Sequence, residues 1–126
     1  MEIGSRLSEM LGRFLDVTSD QMKLTASNIA NVDTPGFRTK GIDFSSTFAQ
    51  AMKDLDAGNS AGSQEQVQDV AGLVARPDGN NVSIDRESMQ LAKEQLQFRA
   101  GVELLKREYT HRQSPLVRFL SKFLIF

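Results

Sequence analysis

Apolar positions recur through the first thirty residues at steps of four and three: Ile3, Leu7, Met10, Phe14 and Val17. That spacing is one face of an α-helix. Leu11, Leu15, Met22 and Ile29 make an adjacent row, and the two rows form a wide stripe that rotates slowly round the helix. A helix over 3–30 is roughly 40 Å long at the usual rise per residue. Such a length suits a rod-like bundle better than a compact globule. Gly4 and Gly12 weaken the first turns and predict fraying near Met1. A second helical pattern starts at Ser83, a plausible N-cap, with Asp85 and Glu87 in the first turn where carboxylates favour the helix dipole. Ile84, Leu91, Phe98, Val102, Leu105 and Tyr109 form its apolar row, widened by Met89, Ala92 and Leu96. Glu87 falls on the core side, Glu94 faces Phe98, and Gln90, Gln95 and Gln97 add neutral polar surface.

Between the two helices the pattern breaks up. Asn28 and Asn31 sit where the first helix should stop, because Asn competes for backbone groups and tolerates the left-handed closing conformation. Pro35 forbids continuation, and Thr34-Pro35-Gly36-Phe37 reads as a type II turn. Asp43 can cap a short amphipathic helix bearing Phe44, Phe48, Ala51, Met52 and Leu55. Its Phe44–Phe48 pair fits a core contact. Residues 57–66 are small, polar and glycine-rich, as in a linker. Residues 67–74 are spaced for a short strand or an irregular patch, and Pro77-Asp78-Gly79-Asn80-Asn81 is a turn cluster. The stretch 57–81 reads as the least ordered part of the chain. The expected fold is therefore mainly α: two long terminal amphipathic helices forming a hairpin or coiled coil, with a flexible middle that has room for a short strand or hairpin. The divisions are 1–31, an N-terminal helix; 32–82, turn, short helix and flexible loop; 83–110, a C-terminal helix; and 111–126, an apolar tail. A lone hairpin of this kind is marginal, so cover from neighbouring molecules helps it. Leu7, Met10, Phe14, Leu15 and Met22 on one helix, and Leu91, Phe98, Val102 and Leu105 on the other, are the candidate assembly faces.

Composition removes several alternatives. The 126 residues carry 15 basic and 16 acidic side chains, a balance that argues against a polybasic nucleic-acid binder. There is no cysteine, which excludes disulfides and thiolate chemistry. No apolar run reaches the length of a membrane span, and the first dozen residues lack the pattern of a cleavable signal peptide. Export, if it occurs, needs another route. His111 is the sole histidine, and no Asp or Glu cluster has metal-ligand spacing. No glycine pattern cradles phosphate and no serine sits in a nucleophile elbow. An enzyme is not expected, nor is a cofactor.

Ser27-Asn28-Ile29-Ala30-Asn31 followed by Thr34-Pro35-Gly36-Phe37 resembles the N-terminal signature of the bacterial flagellar rod and hook axial proteins. Gly79-Asn80-Asn81-Val82, leading into Met89, Leu91-Ala92, Gln95-Leu96-Gln97-Phe98 and Leu104-Leu105-Lys106-Arg107, resembles the proximal-rod branch of that family. The resemblance covers about 5–109. It implies a non-catalytic axial subunit of the proximal rod, packed with its neighbours through its terminal helices. It implies export from the cytoplasm through the flagellar type III apparatus to a periplasmic rod. Other rod subunits, FliE, the MS ring and the export gate are the implied partners, with self-association and no nucleic acid. It also offers Phe44 and Phe48 as an export signal. A soluble coiled-coil adaptor or export chaperone is the competing reading. The tail departs from the family pattern. Pro115 should break the last helix, and Phe119, Leu120 and Phe123 then line one face, with Arg118 and Lys122 elsewhere. A short helix docked on the core, an oligomer contact, an interfacial membrane contact and an altered carboxy-terminal sequence are the open readings.

Overall fold

A computed structural model describes residues 3–59 and 66–124. The element order is α1 (Ile3–Ala30), β1 (Lys40–Ile42), α2 (Phe44–Asp56), β2 (Val67–Asp69), α3 (Ile84–Gln113) and α4 (Pro115–Leu124). The fold is mainly α, as expected, and α1 and α3 are its two long members. They run antiparallel: Asn28 meets Glu87, Thr25 meets Glu94, and Ser8 meets Arg112. The expected fraying at Met1, most of the 57–66 linker and the last two residues of the tail lie outside the described residues.

Helix starts follow local chemistry. Asp43 caps α2 by accepting from the Ser46 amide, and Ser83 caps α3 by accepting from the Arg86 amide. α2 lies against α1 through three rings: Phe14 packs edge-on to Phe44 at 5.5 Å between centroids, and Phe44 and Phe48 are 5.8 Å apart. These are favourable aromatic geometries. Phe44 and Phe48 are thus a core contact with Phe14.

The seam between α1 and α3 differs from the sequence expectation. The buried residues of α3 are Glu87, Glu94 and Gly101, each seven apart. A seven-residue period is the signature of a left-handed coiled-coil seam. On α1 the buried residues are Val17, Thr18, Thr25 and Asn28. The most fully buried positions of the seam are mostly polar or small. The apolar row assigned to α3 is only partly covered: Leu91, Phe98, Val102 and Leu105 are half-buried, while Ile84, Tyr109 and the flanking Met89 and Leu96 are exposed, Met89 by 74% and Leu96 by 68%. Gly101 sets the closest approach, since a Cβ there would lie 2.8 Å from Leu15 Cδ2 and 3.1 Å from Phe14 Cδ1.

The middle is more tightly tied than its composition implies. β1 and β2 pair antiparallel, Lys40 opposite Asp69 and Ile42 opposite Val67, and the Val70 amide extends the ladder to the Thr39 carbonyl at 2.9 Å. From residue 66 onward the stretch expected to be loose is held in place. Ser114 takes an extended conformation and Pro115 opens α4, a position where its missing N–H costs nothing. The expected break is there. The docked-helix reading of the tail is not what forms: Leu116, Phe119 and Leu120 are exposed, and α4 adjoins the end of α3.

Candidate assembly surface

Two features concern function: a polar clasp built from the Asn-rich motif, and an apolar outer face. The clasp begins at the end of α1. Thr34-Pro35-Gly36-Phe37 forms the expected type II turn, with the Phe37 amide donating to the Thr34 carbonyl and Gly36 at φ +75°. Asn31 closes its own helix: its Nδ2 donates to the Ser27 carbonyl at 2.8 Å and its Oδ1 accepts from Thr34 Oγ1. Asn28 does not close the helix. It is 1% exposed and bridges three elements. Its Oδ1 accepts the Lys40 amide at 3.0 Å, while its Nδ2 donates to the Lys40 carbonyl at 2.8 Å and to Glu87 Oε2 at 3.0 Å. Its amide thus acts as a strand partner for β1.

Residues 76–82 interlock with this turn. Asn80 is wholly buried, and its Nδ2 donates to the carbonyls of Asn31 and Thr34 at 2.9 and 2.8 Å. Its Oδ1 accepts the Val82 amide at 2.8 Å. Asn81 Oδ1 accepts from both the amide and the hydroxyl of Thr39. Arg76 donates to the carbonyls of Val32 and Val82. The Gly36 amide donates to the Asp78 carbonyl, and a Cβ on Gly79 would lie 3.3 Å from the Gly36 Cα. Gly79 stands at φ +88°, so both its conformation and its contact call for glycine. Sequence reasoning marked Gly79-Asn80-Asn81 as a turn and as part of a family pattern. It missed that Asn80, Asn81, Thr39 and Arg76 carry the clasp. Consecutive turn-forming residues without a flexible flank were the available signal.

Of the remaining motif residues, Ser27, Ala30, Thr34, Pro35 and Gly36 are exposed, and Ile29 and Phe37 are half-buried. Of the candidate faces, Met10, Phe14, Leu15, Met22, Leu91, Phe98, Val102 and Leu105 are half-buried and Leu7 is 40% exposed. The hairpin itself covers only part of them. Met89, Leu96 and Leu104 add an outward apolar set on α3.

Glu94 is incompletely satisfied in the seam. Oε1 accepts from Thr25 Oγ1 at 3.0 Å, and Oε2, also buried, lacks a partner. Burial pushes its carboxyl above the ordinary value; the Thr25 hydrogen bond opposes this, Glu87 adds to it, and Lys93 and Arg86 oppose it. The folded protein therefore holds this proton more tightly than the unfolded chain. The stability it contributes is complete below the ordinary glutamate pKa and is lost as pH rises through the raised value. Glu94→Gln keeps an acceptor for Thr25 and removes the loss. In urea melts the variant should gain on wild type as pH rises above about 4, the ordinary glutamate value. A constant difference across that rise would refute it.

Glu94 lines a polar groove of about 360 Å³ with Lys40, Asp69, Arg86 and Glu87. Thr25 lines it too, but its hydroxyl is 5% exposed and spent on the seam bond to Glu94, and His111 lies away from it in the last turn of α3, exposed. Among the described residues no His, Asp or Glu cluster could hold a metal, and no helix is long and apolar enough to cross a membrane.

A family profile described as flagella basal body rod protein matches residues 15–38, which span the end of α1 and the turn of the clasp. The chain is 32% identical over 111 residues to the flagellar basal body rod protein FlgB of Yersinia enterocolitica, covering 72% of this chain and 79% of that protein. It is 27% identical over 125 residues to the FlgB of Bacillus subtilis, covering 92% of this chain and 97% of that protein. With the FlgB of Salmonella typhimurium it shares 29% over 108 residues, 72% of this chain and 78% of that protein.

Proposed function

Because this chain belongs to the FlgB family of flagellar basal body rod proteins, and is a structural subunit of that rod, we propose that it polymerises there through the outward faces of its two terminal helices. The observation that carries the proposal is the apolar surface the hairpin leaves uncovered. Polar and small side chains take the most fully buried positions between α1 and α3, while Met89 and Leu96, seven apart, are exposed with Leu104 and Leu7. Apolar side chains of this size gain about 1.5–3 kcal/mol each when fully covered. A hairpin that leaves them exposed gains most from neighbours of its own kind. A contiguous exposed apolar face is also the usual mark of an interaction surface.

The expected neighbours are other rod subunits, FliE and the MS ring. The route is export through the type III apparatus and its gate. If Phe44 and Phe48 serve as the export signal, they are read before folding, because in the folded subunit both rings pack on Phe14. A soluble adaptor or export chaperone is not favoured by any relative compared above.

The test is a Met89→Asp/Leu96→Asp double variant. Both positions are exposed, so the isolated protein should keep its stability within about 0.5 kcal/mol at each site. In a deletion strain of the source bacterium the variant should restore neither rods nor swimming. Swimming cells with normal basal bodies would end the proposal.

A further inference from the structure

The structure points to a second surface, which the rod reading does not use. We propose that α4 is an interfacial helix that lies on an anionic phospholipid surface. Leu116, Phe119 and Leu120 fall at positions i, i+3 and i+4 and are exposed by 66, 57 and 44%. The cations of the helix, Arg118 and Lys122, are four apart and also exposed. From Ser114 to the end of the chain there is no acidic residue, so this segment carries +2 in a chain whose net charge is −1. An apolar face of Leu and Phe beside a purely cationic one is the chemistry of a helix that rests at a membrane interface.

Two observations favour lipid over a second copy of the chain. The extended Ser114 and Pro115 set α4 off from α3, so its apolar face is not a continuation of the Met89–Leu96 stripe. With ten residues it is also too short for a stable coiled-coil partnership of its own. A bilayer needs neither register nor length, only a greasy face and a matching charge. The inference is independent of polymerisation and is tested on the isolated full-length protein.

The chain has no tryptophan, so Phe119→Trp installs a single reporter. With phosphatidylcholine vesicles containing phosphatidylglycerol, its emission should shift to the blue, and wild-type protein should float with the vesicles in a density gradient. Leu116→Ser/Leu120→Ser should abolish both effects without changing helix content. Arg118→Gln/Lys122→Gln should weaken binding to the anionic vesicles by about fivefold per charge and remove most of its salt sensitivity. Three results would overturn the proposal. One is absence of flotation by wild type with anionic vesicles. Another is equal flotation by wild type and the serine variant. The third is a blue shift that appears without lipid and grows with protein concentration, which would give the face to a second copy.

Discussion

Asn28→Ala should lower the folding stability of the isolated protein by about 5 kcal/mol, at roughly 1–3 kcal/mol for each buried polar group left without a partner. Three groups lose theirs. The Lys40 amide and carbonyl sit at the end of β1, partly within reach of water, and each costs toward the low end of that range. Glu87 Oε2 is fully buried and costs toward the high end, since Arg86 engages the other oxygen. The position tolerates no longer amide: Asn28→Gln adds a methylene where the side chain is already 1% exposed, so it should not restore stability. Chemical denaturation of purified variants checks both. A loss below about 1 kcal/mol for alanine, the value of an ordinary hydrogen bond, would mean that the bridge is not a structural element. Because β1 holds β2, the variant should also lose protection of the Val67–Asp69 amides in hydrogen exchange.

Asn80→Asp should cost a comparable amount, about 3–5 kcal/mol, the range for a buried charge left uncompensated. The substitution keeps shape and keeps the oxygen that accepts the Val82 amide. It replaces an N–H₂ that donates to two carbonyls, at 2.9 and 2.8 Å, with an oxygen facing both. Nothing reaches the site from solvent, as Asn80 is wholly buried. The new carboxyl is expected to take up a proton in the folded state, because the neutral form donates again to one carbonyl. Its folded pKa is then raised, so the gap to wild type should narrow as pH falls and widen as pH rises through that value. Urea titrations at several pH values read this directly. A gap independent of pH would show that the residue is not in the buried, donor-demanding position described.

The elements of the fold were largely legible in the sequence. The apolar steps of four and three, with Asn31 and Pro35 as stops, place α1 at the bounds the structure shows. Asp43 and Ser83 cap the next two helices because their chemistry is local. The content of the seam was legible only in part. Counting apolar residues on α3 selects Leu91, Phe98, Val102 and Leu105, widened by Met89 and Leu96; packing leaves the first four half-buried, exposes the last two and buries Glu87, which the sequence placed on the core side, with Glu94 and Gly101. A polar side chain can be buried when its partners are supplied by Thr25 and Asn28, and those partners lie some sixty residues away in sequence. The clasp was hidden for the same reason. Composition marks 76–82 as turn-forming, but its hydrogen bonds reach back to residues 31–39. The three-residue strands are too short to show an alternation. The assembly faces named from sequence were half of the picture. The more exposed half lay among residues assigned to the core.

The clasp between the turn at Gly36 and the turn at Gly79 has a bearing on how subunits of this kind can diverge. It fastens both ends of the intervening chain, and the ring trio and the β1–β2 ladder anchor it again within. Lengthening the peptide between Asn59 and Gln66 would therefore leave these ties, all made by residues outside it, in place and would add the entropy of a larger loop. That penalty grows logarithmically, about 0.6 kcal/mol for each doubling. The clasp thus turns one short connection into a socket where a whole new module can be spliced in, while the paired helices keep their alignment.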